Sequence, residues 1–329
     1  MVGVNGEESQ DDKTLVGVNG EESQYDKHWQ VLVLNKISKI VVVALLFMAI
    51  TGSIFAYNNT ANKNDPEKYL FNNKNIECLY YNTTDFINIP YYDITQNEGT
   101  IRGCIVPHHL IAKDLIHEVF QNVIKDEYKT VVLIGPDHES IDKGKIFTTL
   151  SNWQTPTGIL ETDSVITKEL LKYDFIETNN DKLTMEHSTS SIIPFINYYL
   201  KDVKIVTLVL TKQVKLEDVD IITDALSENL DVDETLFIAS IDFSHYLNLE
   251  DADKMDLISM EAIQKKDITR IMSFTNDNLD SPISIITMLK MMGKNNNAQI
   301  TVLNHSNSEL ILKEKTEETT SYITYLFHQ

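Results

Sequence analysis

Six of the nine histidines fall in five short polar segments, four of which follow apolar runs. His108 and His109 follow Cys104–Val106, and His138 follows Thr130–Ile134. His245 follows Leu236–Ile241, and His305 follows Ile300–Leu303. His187 stands beside Glu186 in a loop. Imidazole is the commonest transition-metal ligand and the natural acid or base near neutral pH. Carboxylates accompany these histidines: Asp137 and Glu139 flank His138, and Asp242 lies just before His245. Two histidines and a carboxylate with open positions form the facial arrangement of non-haem Fe(II) enzymes. Loops at strand ends collect polar residues anyway, and a single histidine there is usually a hydrogen-bonded loop residue. The expectation therefore rests on the set: His108, His138 and His245 should share one pocket. His28, His117 and His328 lie outside the pattern.

Such a set needs elements that end together. From about residue 99, β-rich apolar runs alternate with amphipathic stretches. The runs are Cys104–Val106, Thr130–Ile134, Val203–Leu210, Leu236–Ile241 and Ile300–Leu303. The helical stretches are Leu110–Ile124, Val165–Leu171, Leu216–Leu230, Ala252–Gln264 and Ile283–Met292. Alternation of this kind predicts a single α/β domain over 99–329, with a largely parallel or mixed central sheet flanked by helices. The run Thr130–Ile134 does not alternate apolar with polar, as a strand buried on both faces should not. In open α/β sheets ligands bind beyond the carboxyl ends of the strands, which is where the histidines fall.

The N-terminal part reads differently. Residues 2–13 (VGVNGEESQDDK) and 16–27 (VGVNGEESQYDK) differ at one position. Two copies of so short and acidic a unit bury no core, so residues 1–35 are expected to be a flexible tail. The uncharged run Ile40–Tyr57 is long enough, as a helix, to approach the thickness of a bilayer core. It predicts a transmembrane anchor over 36–58. Lys36 and Lys39 at its N-terminal flank place the N-terminus in the cytoplasm and the domain outside. Residues 59–98, rich in Asn, Tyr, Asp and Thr, read as a linker running into the domain edge.

The formal charge is −21, from 28 basic and 49 acidic residues. No Lys/Arg cluster stands out, which argues against nucleic-acid binding. The two cysteines, Cys78 and Cys104, form no Cys-x-x-Cys pair, so a zinc-finger site is excluded. One disulfide or two free thiols remain open, free thiols being the commoner state.

The histidine segments also carry a family resemblance. Gly103-Cys104-Ile105-Val106-Pro107-His108 resembles the first motif of the Memo family, and Val131-Val132-Leu133-Ile134-Gly135-Pro136-Asp137-His138 the second. Trp153 to Gly158 resembles its Thr-Pro-x-Gly segment. Glu186-His187-Ser188 with Pro194-Phe195 resembles the next motif, and Ala239 to Tyr246 (ASIDFSHY) the most specific one. Order and spacing match over residues 99–329. The resemblance implies a fold similar to class III extradiol dioxygenases, whose iron sits on two histidines and a carboxylate, with a further histidine as base. It implies iron or copper held by two histidines and a cysteine, and, from the human relative, binding of phosphotyrosine peptides. Prokaryotic members carry the label AmmeMemoRadiSam system protein B. By motif, His108 and His138 are the metal ligands; Asp242 and His245 face them, with His187 beside.

The chain departs from the pattern where a thiolate belongs. The family cysteine stands four residues before a Pro-Ile pair; here the pair is Pro282-Ile283 and the position is Asn278. His109-Leu110 replaces the usual Ala-Gly, and Ser190 an acidic residue. Asp280 becomes the candidate third ligand, although Asp-Ser-Pro is also an ordinary helix start. The expectations are then three. The first is a metalloenzyme holding Fe(II) on His108, His138 and Asp280, with His245, Asp242 and His187 as catalytic groups in redox or dioxygenase-type chemistry. The second is a module that binds a small molecule or peptide in the strand-end pocket without turnover. The third is metal-dependent hydrolysis through a bound water.

Overall fold

The computed structural model describes residues 75–94, 99–139, 144–294 and 298–329. They contain twelve strands: β1 (Ile76–Glu77), β2 (Ile101–Val106), β3 (Thr130–Pro136), β4 (Ile146–Thr148), β5 (Trp153–Thr155), β6 (Gly158–Thr162), β7 (Ile176–Thr178), β8 (Lys204–Leu210), β9 (Thr235–Ser240), β10 (His245–Leu247), β11 (Gln299–Asn307) and β12 (Thr319–His328). The helices used below are α1 (Lys113–Val123), α2 (His187–Ser190), α3 (Ile193–Tyr199), α4 (Leu216–Asn229), α5 (Leu249–Gln264) and α6 (Pro282–Lys294).

Five strands, in the order β6-β8-β3-β9-β2, run parallel at the centre of the sheet. β12 then pairs antiparallel with β2, and β11 with β12, making the sheet mixed. Alternate side chains of the central strands enter two separate cores. Val132, Ile134, Val206, Leu208, Phe237 and Ala239 pack in one, with Val219, Ile222 and Leu226 of α4 and Ile285, Ile286 and Met288 of α6. Val131, Leu133, Ile205, Val209, Leu236 and Ile238 pack in the other, with Ile116, Val119 and Phe120 of α1 and Phe195 and Ile196 of α3. A strand covered on both faces has no wet side, which is why Val131–Ile134 is uninterrupted apolar sequence. Each such buried aliphatic contributes about 1.5–3 kcal/mol relative to an exposed one.

Two glycines set how closely helices approach the sheet. A Cβ on Gly103 of β2 would meet Met288 Cε at 2.7 Å, so the absence of a side chain lets α6 lie close against β2. A Cβ on Gly135 of β3 would meet Ser188 Oγ at 2.7 Å, so α2 can rest on the end of β3. Both helices bring candidate residues to the strand ends.

Part of the stretch read as a linker belongs to this architecture: β1 pairs parallel with β5, and Asp85 is buried. Cys78 and Cys104 are buried free thiols. The membrane expectation is corrected. No helix among the described residues is long and apolar enough to cross a membrane. The run 40–57 and the duplicated tail lie outside the described residues. The transmembrane helix, the membrane as partner and the single-pass placement are therefore unsupported and drop out of the account.

Candidate metal centre

Register aligns the carboxyl ends of the parallel strands. Val106 of β2 pairs with Ser240 of β9, Ile134 of β3 with Ala239 of β9, and Pro136 of β3 with Leu210 of β8. His108, His138 and Asp242 each stand two residues beyond a strand end, so they emerge side by side. An isolated antiparallel bridge between Phe243 and Leu279 then draws the segment before α6 to the same place. All six residues expected from sequence, His108, His138, His187, Asp242, His245 and Asp280, line one cavity of about 910 Å³.

His108 is buried and fixed on several sides. Its backbone N–H donates to Asp242 Oδ1 at 3.1 Å, and its Nδ1 lies 3.2 Å from Ser240 Oγ. Its Nε2 faces Asp280 Oδ2 at 3.3 Å and Asp242 Oδ2 at 3.6 Å. Burial lowers its pKa to about 3, so the ring is neutral. With the proton on Nδ1 toward Ser240, Nε2 offers a lone pair to the cavity.

His138 is held by Glu186, which accepts from its backbone N–H at 2.8 Å and contacts its Nδ1 at 2.9 Å. Its Nε2 lies 3.7 Å from Asp280 Oδ2. Burial alone would lower this imidazole's pKa. Bonds to Asp280 and Glu186 outweigh it and push the value up to about 10. Burial opposes ionisation of Glu186, yet its bonds to His138 and the Ser188 amide bring it down to about 2. His187 opens α2 and stacks on His138 with ring centroids 4.3 Å apart; His108 lies edge-on to both at 5.1 Å. Burial, then the charge on His138, lowers the His187 pKa. One ring nitrogen from each of His108, His138 and His187 can be chosen so that all lie within 4.8 Å of one another.

Asp280 settles where its segment points. Ser281 Oγ, not Asp280, accepts the Ser284 N–H at 3.3 Å in the first turn of α6. Asp280 Oδ2 faces both histidines and accepts the Asp242 N–H at 3.2 Å, while Asp280 N–H donates to Asp242 O at 3.1 Å. Its Oδ1 is buried without a hydrogen-bond partner. Asn278 faces elsewhere: its amide reaches Ser259 Oγ at 3.4 Å on α5. Asp242 is buried and its pKa raised, chiefly by burial. It positions His108 and Asp280 through the bonds above.

His245 stands slightly apart. It lines the cavity at the start of β10, its N–H donates to Asn276 O at 2.9 Å, and its Nδ1 donates to the Phe243 carbonyl. That bond selects the tautomer with a free Nε2 acceptor, as a base requires. The next residue, Tyr246, has φ 61°, a left-handed backbone that costs a non-glycine residue energy. Two residues of the set were not singled out as site residues by sequence. Glu186 appeared only within a motif, and Ser240 only as part of a strand end. Nothing local marks either as a partner of a histidine Nδ1.

The donor set fits a divalent cation. Donors at tetrahedral positions around a metal with bonds near 2.0–2.1 Å stand about 3.3 Å apart. The His108 Nε2–Asp280 Oδ2 separation is 3.3 Å. The Nδ1 atoms of His108 and His138 are both occupied by second groups, as is usual for metal-binding histidines. The buried carboxylates of Glu186 and Asp280 face one protonated imidazole, and a cation would offset the excess.

The profile of the family described as Memo-like protein matches residues 73–326. A MEMO1 family protein of Aquifex aeolicus is 29% identical over 167 residues, covering 50% of this chain and 61% of that protein. One from Thermoplasma acidophilum is 27% identical over 218 residues, covering 64% and 80%. One from Pyrobaculum aerophilum is 30% identical over 209 residues, covering 60% and 72%. The matched stretch thus falls short of two thirds of the Aquifex protein and exceeds it in the other two.

Proposed function

The chain belongs to the Memo-like family, and on that premise we propose that it is a metal-dependent protein whose metal is held by His108, His138 and Asp280. The observation that carries this reading is Asp280 Oδ2, at 3.3 Å and 3.7 Å from the Nε2 atoms of two histidines whose Nδ1 atoms are tied elsewhere. A carboxylate is a harder donor than a thiolate, so preference moves from Cu(I) toward Fe(II) or Mn(II). A metal on this set, with open positions, would supply the Lewis-acid and redox chemistry of non-haem iron sites. The chain's own residues do the rest. Ser240 and Glu186 orient the two imidazoles. Asp242 fixes His108 and Asp280. His187, against His138, is placed to donate or accept at the cavity wall. His245, with Nε2 unprotonated, is placed to take a proton from a group bound at the centre. The reading is of a non-haem redox or dioxygenase-type enzyme.

Equilibrium titration of the full chain with Fe(II) under anaerobic conditions tests it. One metal per chain is expected, with near-complete loss in His108→Ala. Absence of any metal binding in the wild type would replace the enzyme reading with a binding module on the same fold.

A further inference from the structure

A second cavity, of about 460 Å³, adjoins the metal cavity. The two share Pro136, Asp137, Lys212, Asn276 and Asp280 in their walls. Beyond that junction the second cavity has a mixed wall: Leu210, Val214, Met272, Phe274, Leu279 and Ile283 supply apolar surface, with Thr211, Thr275, Asp277 and Ser281 between them. Nothing in the chemistry assigned to the metal centre uses this space.

The charge at the junction is specific. Among the described residues Lys212 is the one lysine lining either cavity, and no ion pair there joins it to a carboxylate. That is unusual in a chain with 49 acidic residues against 28 basic ones. The acids nearby are already engaged. Asp137 is paired with buried Lys182 at 3.1 Å and 3.3 Å. Asp280 turns one oxygen to His108 and His138, and its other oxygen is buried without a partner. Among the described residues, exposed Asp277 lines the second cavity with Lys212, and Asp242, whose Oδ1 accepts the His108 N–H, lines the metal cavity with it. A pocket with a large apolar wall, and at its mouth a lysine that no ion pair among the described residues engages, suits an apolar body bearing an acid group.

We infer that the second cavity binds the hydrocarbon part of an amphipathic organic acid, whose carboxylate pairs with Lys212 at the junction beside the metal centre. This rests on the metal reading only for what lies beyond the carboxylate; the pocket and the lysine stand without it.

Calorimetric titration of the full chain with hexanoate, octanoate and 1-octanol tests the assignment. Affinity should rise about fourfold per added methylene, since each buried methylene adds a fixed increment of transfer energy. Lys212→Met should weaken octanoate roughly fivefold to tenfold, given a charge-assisted bond discounted for exposure, and leave 1-octanol unchanged. Met272→Trp, at an already exposed position, should fill the cavity and weaken both ligands. Failure of octanoate to bind, absence of chain-length dependence, or equal octanoate affinity in wild type and Lys212→Met would each overturn the inference. The His108→Ala chain separates the two readings. Octanoate binding that survives there places the acid on Lys212, whereas binding lost with the metal would put the carboxylate on the metal and overturn the assignment. Iron content, measured on the same samples, reports on the metal reading alone.

Discussion

Among the described residues two clusters of histidine and carboxylate stand out, and they differ in what their donor atoms are doing. Around His108, His138 and His187, ring nitrogens converge within 4.8 Å and Asp280 Oδ1 has no partner. Around Asp256, His305 and Asp253, the donor atoms are as close, but the central carboxylate is spent. Asp256 is fully buried, its Oδ1 accepting the Ser244 hydroxyl at 2.6 Å and its Oδ2 the His305 Nε2 at 2.7 Å. A carboxylate with both oxygens satisfied anchors structure, here the residue before His245. A carboxylate left half satisfied in a buried site marks a place for a ligand. The clusters look alike by residue type and proximity; hydrogen-bond saturation tells them apart.

The contrast can be broken most sharply at the first cluster. His108→Ala should reduce Fe(II) affinity at least about a hundredfold, since a ligand itself is removed. Asp280→Ala should cost at least roughly tenfold; unchanged binding there would reduce Asp280 to a residue that orients the backbone. Glu186→Gln should cost about tenfold through the orientation and basicity of His138. Calorimetric titration of the three variants beside wild type ranks them.

The same cluster predicts a pH dependence. His138 is protonated below its folded pKa of about 10, and a metal must displace that proton. Apparent metal affinity should therefore rise with pH, close to tenfold per unit, and level off near 10. Titrations in two buffers of different ionisation enthalpy will count the proton released. A flat profile would mean His138 gives up no proton and is not a ligand.

At the second cluster the expected effects are on stability. His305→Gln should leave metal stoichiometry unchanged and destabilise by about 1 kcal/mol, the cost of exchanging a charge-assisted donor to a buried carboxylate for a neutral amide. The His305 pKa is raised, chiefly by its bond to Asp256. Its contribution is then fully present below the unfolded value and lost as pH rises through the folded one. The wild type's advantage over His305→Gln in chemical denaturation should be greatest below about pH 6.5 and shrink above it. The smallest effect belongs to Asn278→Cys. Because Asn278 faces Ser259 rather than the centre, restoring a cysteine there should change metal affinity by less than about twofold, far below the tenfold scale of orienting groups.

Much of this arrangement was legible in the sequence because parallel strands buried on both faces leave long apolar runs. β3, β8 and β9 emerged within a few residues of their observed limits, and the polar residues after them fell at the site by topology alone. β12 was missed, though it is one of the longest strands and lies beside β2. Its Thr, Tyr and Ile residues fit a strand, but Thr320, Thr324 and Tyr322 break the apolar run that made the parallel strands conspicuous. The short strands β4 to β7 carry too few residues for any period to register. Convergence of His108 and His138 was legible, and Asp280 was a candidate beside them; the saturation of Asp256 and the hydrogen bonds that turn Asp280 toward the histidines were not. They depend on which side chain caps α6 and on a bridge between Phe243 and Leu279, neither of which has a local sequence signal.

X-ray absorption at the iron edge of the Fe(II)-loaded full chain, beside Asp280→Ala, tests the central claim most directly. The account predicts a first shell of nitrogen and oxygen donors at about 2.0–2.2 Å, with the outer-shell signature of two imidazoles and no sulfur. In Asp280→Ala one oxygen donor should be lost or replaced by water while both imidazoles remain. A sulfur shell, fewer than two imidazoles, or an Asp280→Ala spectrum identical to wild type would contradict it.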